Sequence, residues 1–321
     1  MKALIIGAAG FVGRHLIKAI KENTDWQVFA TKITRESDII GVDGLFDLDI
    51  LIPEEISDVL SKVRPDYIFH LAAQSSVALS WKKPALTIDI NIKGTVHVLD
   101  AVALLDYRPR VLLIGSGEEY GFIRPDELPI SEENPLRPGN IYAATKAAQN
   151  MIGKIYAQAY GMDIVMVRAF NHIGTDQDPI FVVADFCKQV AMIEANQHPA
   201  VMKVGNLQAK RDFTDVRDVV KAYLLLMQEG VSGEIYNVGS GHAISIEELL
   251  HMILSLSKVE IEVTQDEAKM RPSDIPIIEA DVSKLHEATQ WTASIPLTQT
   301  LRETLDFWRD KVAGSNDHEQ V

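Results

Sequence analysis

Apolar runs of strand length alternate with longer segments of helical period through the first half of the chain, and this rhythm limits the fold more than any single residue. Residues 2–7, 27–31, 66–72, 111–115 and 163–168 read as strands, and a further short strand is expected in FDLDI, ending near Asp49. Between them, residues 11–21, 53–63, 86–105 and 141–159 read as helices. Runs such as ALIIG, YIFHLA, VLLIG and IVMV lack a polar face, so they suit strands covered on both sides. Strand–helix alternation of this kind implies right-handed crossovers and a parallel, Rossmann-type doubly wound α/β sheet.

The rhythm changes twice. Residues 116–140 carry four prolines and many acids between a strand and a helix, which predicts a long loop shaping a site at the strand's carboxyl end. Beyond about residue 174 the elements become irregular: helices over 183–195, 217–228 and 246–257, a strand over 201–205, and a frayed tail over 313–321. With 321 residues, two units of the usual size of about 150 fit. The expected division is a cofactor-binding Rossmann domain of residues 1–173 plus 212–239 and a smaller C-terminal α/β substrate lobe of 174–211 plus 240–321.

Charge narrows the partners. The 45 acidic residues outnumber 31 basic ones, for a net charge of -14, so nucleic acid and anionic membrane are excluded as general partners. Any phosphate ligand must be held by a few placed basic groups. A single cysteine, Cys187, can form no internal disulfide, reads as a small buried side chain in a helix, and fits a reducing cytoplasm. The opening MKALIIGAAGFVG is read as a buried strand rather than a leader, because Gly7 cuts its apolar block. The longest stretch without Asp, Glu, Lys or Arg, residues 67–81, is shorter than the roughly 18 apolar residues a membrane-spanning helix needs. No zinc-type cluster is present, and no metal is expected.

The first chemical signal is GAAGFVG, with Gly7, Gly10 and Gly13 three apart between strand and helix. The first glycine permits a tight turn, the second lets a pyrophosphate approach, and the third lets helix pack on sheet; the helix amino end then faces the phosphates. A dinucleotide site follows. After the second strand, FATKITRES carries Lys32 and Arg35 with no acid before Glu36, which favours NADP(H) over NAD(H). Asp49 is a candidate for the adenine edge.

The second signal is Tyr142 and Lys146, four apart on one helix face. They follow the strand that ends at Ser116, at the sheet edge where α/β ligands bind. An ammonium beside a phenol lowers its pKa, and a nearby serine hydroxyl can hold the reacting oxygen. These are the parts needed to move a hydride and a proton between a nicotinamide and a carbonyl.

GAAGFVG, HLAAQSS at 70–76, Asn91, Ser116, the Tyr142–Lys146 pair and RAFNHIG at 168–174 together resemble the extended short-chain dehydrogenase/reductase family, in its nucleotide-sugar-modifying branch. The stretches VGNLQAKRDFTDVRDVVKAY, YNVGSG and QDEAKMRPSDIP are similar to its GDP-4-keto-6-deoxymannose reductases, which form GDP-D-rhamnose. The resemblance implies Tyr142 as proton donor, Lys146 as the group tuning it and binding the nicotinamide ribose, and Ser116 as carbonyl polariser. It implies Phe11, Val12, Ile50, Leu71, Ala72, Ala73 and Asn91 along the cofactor. It implies a GDP-linked 4-keto-6-deoxy sugar as substrate, met by Ser75, Glu118, Asn171, Lys188 and Val204, with Arg211 and Arg271 on its diphosphate and Asp274 on its nucleoside. Guanidinium forks suit phosphate oxygens.

Three other readings stay open. Glu118 falls on the position of the catalytic glutamate of the related 4,6-dehydratases, while Glu119 and Glu127 are expected to be solvated. An epimerase or a reductase of different specificity shares the same parts. Redox-sensing binding modules use the same fold, but lose the tyrosine or the lysine. The family also pairs the helices 86–105 and 141–159 across a two-fold axis, so a homodimer is expected, with Ala101, Ala147 and Ala148 among the small residues on those helices.

Overall fold

The computed structural model describes residues 1–37, 39–269 and 275–316. Its first half runs β1 (Lys2–Ile6), α1 (Phe11–Asn23), β2 (Gln27–Lys32), β3 (Gly44–Asp47), α2 (Pro53–Val63), β4 (Tyr67–His70), α3 (Val77–Lys82) and α4 (Pro84–Ile88). A π-helical turn (Asp89–Lys93) leads into α5 (Gly94–Ala103), then β5 (Arg110–Ser116), α6 (Ile141–Tyr160) and β6 (Ile164–Ala169). The remainder comprises β7 (Asn171–Ile173), α7 (Val182–Glu194), β8 (Val201–Val204), β9 (Lys210–Asp215), α8 (Val216–Glu229) and β10 (Ile235–Val238). It closes with β11 (Ala243–Ser245), α9 (Ile246–Leu254), β12 (Glu262–Gln265), β13 (Ile277–Ile278), α10 (Ser283–Thr289) and α11 (Leu297–Asn316).

Seven parallel strands form the main sheet in the order β10-β6-β5-β4-β1-β2-β3. Side chains alternate across a strand, so each apolar run feeds two cores. Ala3, Ile5, Val28, Phe69, Leu112 and Val167 pack with Leu16, Ile20 and Val219 from α1 and α8. Leu4, Ile6, Ile68, Val111, Leu113 and Met166 pack with Ile56, Leu60, Val98 and Leu99 from α2 and α5. This two-sided burial explains the unbroken apolar runs. The second lobe is built on small sheets: β11-β9-β13 with β7 on β9, and β12-β8. Its own core joins α7, α9 and α11 through Phe186, Cys187, Leu249, Leu301 and Trp308. Cys187 is fully buried, and burial pushes its thiol up to about 12.

Several boundaries depart from the sequence expectation, each for a visible reason. The strand expected to reach residue 72 stops at His70, because the amides of Leu71 and Ala72 both turn to donate to Ile6 O. The helix expected from residue 86 starts at Pro84, whose missing N–H suits a first turn, and is interrupted by the π turn. α3, capped by Ser76, was not anticipated from its mixed pattern. α9 ends three residues early in tight turns, and residues 313–316 of the supposedly frayed tail continue α11.

Ala101 and Ala147 prove to be internal packing residues. What α4 and α6 leave to solvent is larger: Leu86, Ile88, Met151 and Ile155 are all exposed. Among the described residues, no helix is long and apolar enough to cross a membrane, and no cluster of His, Cys, Asp or Glu could hold a metal.

Candidate active site

The carboxyl ends of β1, β4, β5 and β6 converge on one edge of the sheet, and the singled-out residues gather there. Gly7 leaves β1 with φ +84°, and a Cβ on it would stand 2.7 Å from Ala72 N. A Cβ on Gly13 would overlap Ala8 O, whereas one on Gly10 would meet nothing nearer than Gly7 O at 3.7 Å. Gly10 is therefore the open side of the turn. It caps α1 without a side-chain hydrogen bond, and the first turn holds no acid. The leading amides of the helix, at Phe11 and Val12, thus lack a side-chain cap, which fits a pyrophosphate. The Phe11 ring is stacked on His172 at 6.2 Å and edge-on to His15 at 5.3 Å, so its side chain ties α1 to β7. Leu71, Ala72 and Ala73 lie half-buried where β4 ends, opposite this turn.

The adenosine end differs from expectation. Lys32 is buried, with Nζ 3.2 Å from Asp47 Oδ1 and donating to Glu36 O, so its charge is already answered by β3. Arg35 is the exposed base of the pair. The half-buried Asp49 accepts the Leu51 amide through Oδ1. The Ile50 side chain belongs to the core beneath Gly94, and its carbonyl meets His97 Nδ1 at 3.0 Å. Asn91 sits fully buried in the π turn: Oδ1 accepts the Gln74 amide, and Nδ2 donates to Gln74 O and Thr145 Oγ1. All its side-chain donors are used, so it latches the β4 loop to α6 rather than presenting a donor to a ligand.

Tyr142, Lys146 and Ser116 do come together. Asn140 caps α6 through the Ala143 amide, which starts the helix so that Tyr142 and Lys146 stand one turn apart facing β5. Ser116 ends β5, and its hydroxyl lies beside the Tyr142 side chain, pulling the phenol's proton affinity down. Lys146 Nζ donates to Ile114 O at 2.6 Å and to Gln149 Oε1 at 3.0 Å. The expected lowering of the phenol is not found. Burial, with the Glu118 and Glu119 carboxylates, pushes Tyr142 well above the ordinary tyrosine value, against a smaller lowering by Ser116. Lys146 is lowered to about 8 by burial, partly offset by Glu119.

Glu119 is the largest correction. Expected in solvent, it is fully buried: Oε1 accepts the Ser116 amide and Asn150 Nδ2, both at 2.8 Å, and Oε2 accepts Arg168 Nε at 3.0 Å. A Cβ at Gly115 would collide with both Glu119 and Asn150, so glycine there makes room for the contact. Burial pushes the Glu119 carboxyl up, and Arg168 pulls it back. Arg168 Nη1 extends the network to Tyr120, whose hydroxyl donates to Asn237 on β10. Glu127, also expected in solvent, is gripped by Arg137 and Arg124, which hold its carboxyl well below the usual range. The spacing Ser116-x-x-Glu119 is a capping-box signature, a legible sign that Glu119 turns inward. Gln149, three residues after Lys146, had only helical spacing to mark it.

On the substrate side, Glu118 accepts a hydrogen bond from Asn140 Nδ2 at 3.1 Å and borders Tyr142, while Ser75 is exposed and Asn171 half-buried. Lys188 lies 5.6 Å over the Trp308 ring, in the lobe core. Val204 is a core side chain, and its carbonyl accepts the Asp266 amide. Arg211 is buried, with Nη1 donating to Lys210 O and Ile275 O. Arg271 and Asp274 lie outside the described residues.

This fold and this site define a dinucleotide-dependent enzyme of the extended short-chain dehydrogenase/reductase type. The chain belongs to that nucleotide-sugar-modifying family: the family model described as GDP-mannose 4,6 dehydratase matches residues 4–304. It is 33% identical, over 97% of this chain and 98% of the other, to GDP-6-deoxy-D-mannose reductase of Pseudomonas aeruginosa. Among solved structures, RMD from Pseudomonas aeruginosa complexed with NADPH superposes with a TM-score of 0.86 at 32% identity, over 97% of this chain and 100% of that one. UDP-glucose 4-epimerase of Thermotoga maritima also gives 0.86, at 26% identity and the same coverage.

Proposed function

We propose that this protein reduces the C4 ketone of GDP-4-dehydro-6-deoxy-D-mannose to GDP-D-rhamnose with NADPH. The observation that carries this reading is the Ser116–Tyr142–Lys146 group at the sheet edge, in a chain alike end to end with a GDP-6-deoxy-D-mannose reductase. Bound NADPH supplies the hydride that C4 receives. Tyr142, kept protonated by burial, gives its hydroxyl proton to the C4 oxygen, and Ser116 holds that oxygen in place. The Lys146 ammonium offsets the phenolate left behind.

The glycine turn, with the amides of Phe11 and Val12, takes the cofactor pyrophosphate, and Arg35 takes the 2'-phosphate that Lys32 is too engaged to hold. Arg211 and Arg271 are assigned to the substrate diphosphate, Asp274 to its nucleoside. Residues 1–173 with 212–239 bind cofactor, while 174–211 with 240–321 bind the sugar nucleotide. Two copies pair through the Leu86, Ile88, Met151 and Ile155 faces.

Glu118 beside Tyr142 supports a second reading, 4,6-dehydration. Two incubations separate them: GDP-4-keto-6-deoxymannose with NADPH, followed by nicotinamide oxidation, and GDP-mannose with catalytic NADP, followed for a keto product. Oxidation in the first alone is expected. Product in the second alone overturns the reductase reading.

A further inference from the structure

Gln149 lies three residues after Lys146 on α6, so the two side chains share a face, and both are buried. β5 pairs with β4 only as far as Leu113, and the next residue, Ile114, offers its carbonyl to that face. Lys146 Nζ donates to Ile114 O at 2.6 Å, and Gln149 Nε2 donates to the same oxygen at 3.0 Å. Lys146 Nζ also donates to Gln149 Oε1 at 3.0 Å. Three contacts close a ring.

The ring assembles one way round. A carbonyl oxygen accepts and never donates, so the end of the Gln149 amide that meets Ile114 O is its NH2 group. That leaves Oε1 toward Nζ, which only donates. Glutamine meets both demands at this reach, whereas an apolar chain of the same length meets neither.

An ammonium carries three protons on a flexible four-carbon stem. The ring takes two of them. We infer that Gln149 is a positioning residue for Lys146, fixing two ammonium protons so that the third is the one left for the nicotinamide ribose. On the catalytic reading of Lys146, on which this role rests, that third proton is the cofactor contact. Without Gln149 the ammonium keeps one carbonyl, swivels about it, and loses an acceptor that favours its charged form.

The charged groups around Lys146 do not take over this part. Glu119, in the turn after β5, adds its field, but its oxygens are bonded to the Ser116 amide, Asn150 and Arg168 of β6. Glu118 in the same turn accepts from Asn140, and Tyr142 of α6 is held protonated by burial. His70 at the end of β4 is neutral, since burial first and the Lys146 charge second lower it to about 3. Lys82 of α3 and Asp89 and Lys93 of the π turn are exposed. On α5, His97 is bonded to Ile50 O and Asp100 accepts from Tyr156.

The test needs neither cofactor nor substrate. Isotope-labelled lysine NMR on the full chain, with the Lys146 signal assigned by its loss in K146R, follows its titration in wild type, Q149M and Q149E, beside thermal unfolding of each. Methionine fills the volume without either hydrogen bond, so the proton affinity of Lys146 should fall about tenfold in Q149M. Glutamate has the same shape and keeps an oxygen toward Nζ, so in Q149E the affinity should equal or exceed that of wild type. A packing role predicts lower melting temperatures with Lys146 within about twofold of wild type in Q149M. That result, or an equal fall in both variants, overturns the inference. Should Q149M not fold, Q149N, one methylene too short to close the ring, takes its place with the same expected fall. Because no turnover is measured, absence of reductase activity would refute the proposed function and leave this result standing.

Discussion

The two lobes hold their polar groups in opposite ways. At the end of the main sheet, Glu119, Arg168, Asn150, Asn91, Gln149 and Lys146 are buried and bonded to one another or to main chain. In the second lobe the core of α7, α9 and α11 is apolar and ion pairs such as Lys269 with Asp185 are shallower, with Arg211 the buried exception. The sheet end is preorganised before any ligand arrives, whereas the second lobe keeps ion pairs such as Lys269 with Asp185 nearer the surface. Preorganised donors cost no rearrangement at the moment of reaction.

That contrast can be broken at graded strengths. Y142F removes the proposed proton donor, so turnover should fall about a hundred- to ten-thousandfold while NADPH affinity and melting temperature hold. Steady-state kinetics beside a cofactor titration check this, and a parallel loss of stability would mean the hydroxyl is structural. E119A strands Arg168 in the interior and should destabilise the fold by about 3–5 kcal/mol in urea unfolding, with E119Q milder. A loss below about 1 kcal/mol would place the pair among ordinary surface contacts.

Raising pH should reduce turnover through about 8, because Lys146 is lowered to that value and loses its charge above it. A profile flat to pH 10 would show the ammonium is not required. The smallest effect belongs to the rim: R35A should raise KM for NADPH about three- to tenfold and leave NADH unchanged, the scale of one exposed charge contact.

How much was legible follows the same divide. The order β1 to β6 and the helices between them are visible because each strand is covered on both faces and each helix on one. The glycine turn and the Tyr142–Lys146 pair are local in sequence, so spacing alone locates them. Glu119 was misread because acidity suggests solvent, while its partners Arg168 and Asn150 lie 49 and 31 residues away. The ion pair of Lys32 is not visible in the sequence because its partner Asp47 sits on the neighbouring strand β3. The surroundings of Lys188, over the Trp308 ring, and of Val204, in the lobe core, likewise come from segments distant in sequence. Long-range pairing, not composition, decides these cases.

The edge strand β10 joins the main sheet only after the chain has travelled through α7, β8, β9 and α8. A cut after residue 173 would strip β6 of its outer neighbour and remove α8 from the face holding Val165 and Val167. The leading half is therefore no portable cartridge: alone, it would display a bare strand edge and a greasy plane, an invitation to stack on its own kind. Swapping the second lobe between relatives demands at least two splices, because the thread passes out of the sheet and must be sewn back into it.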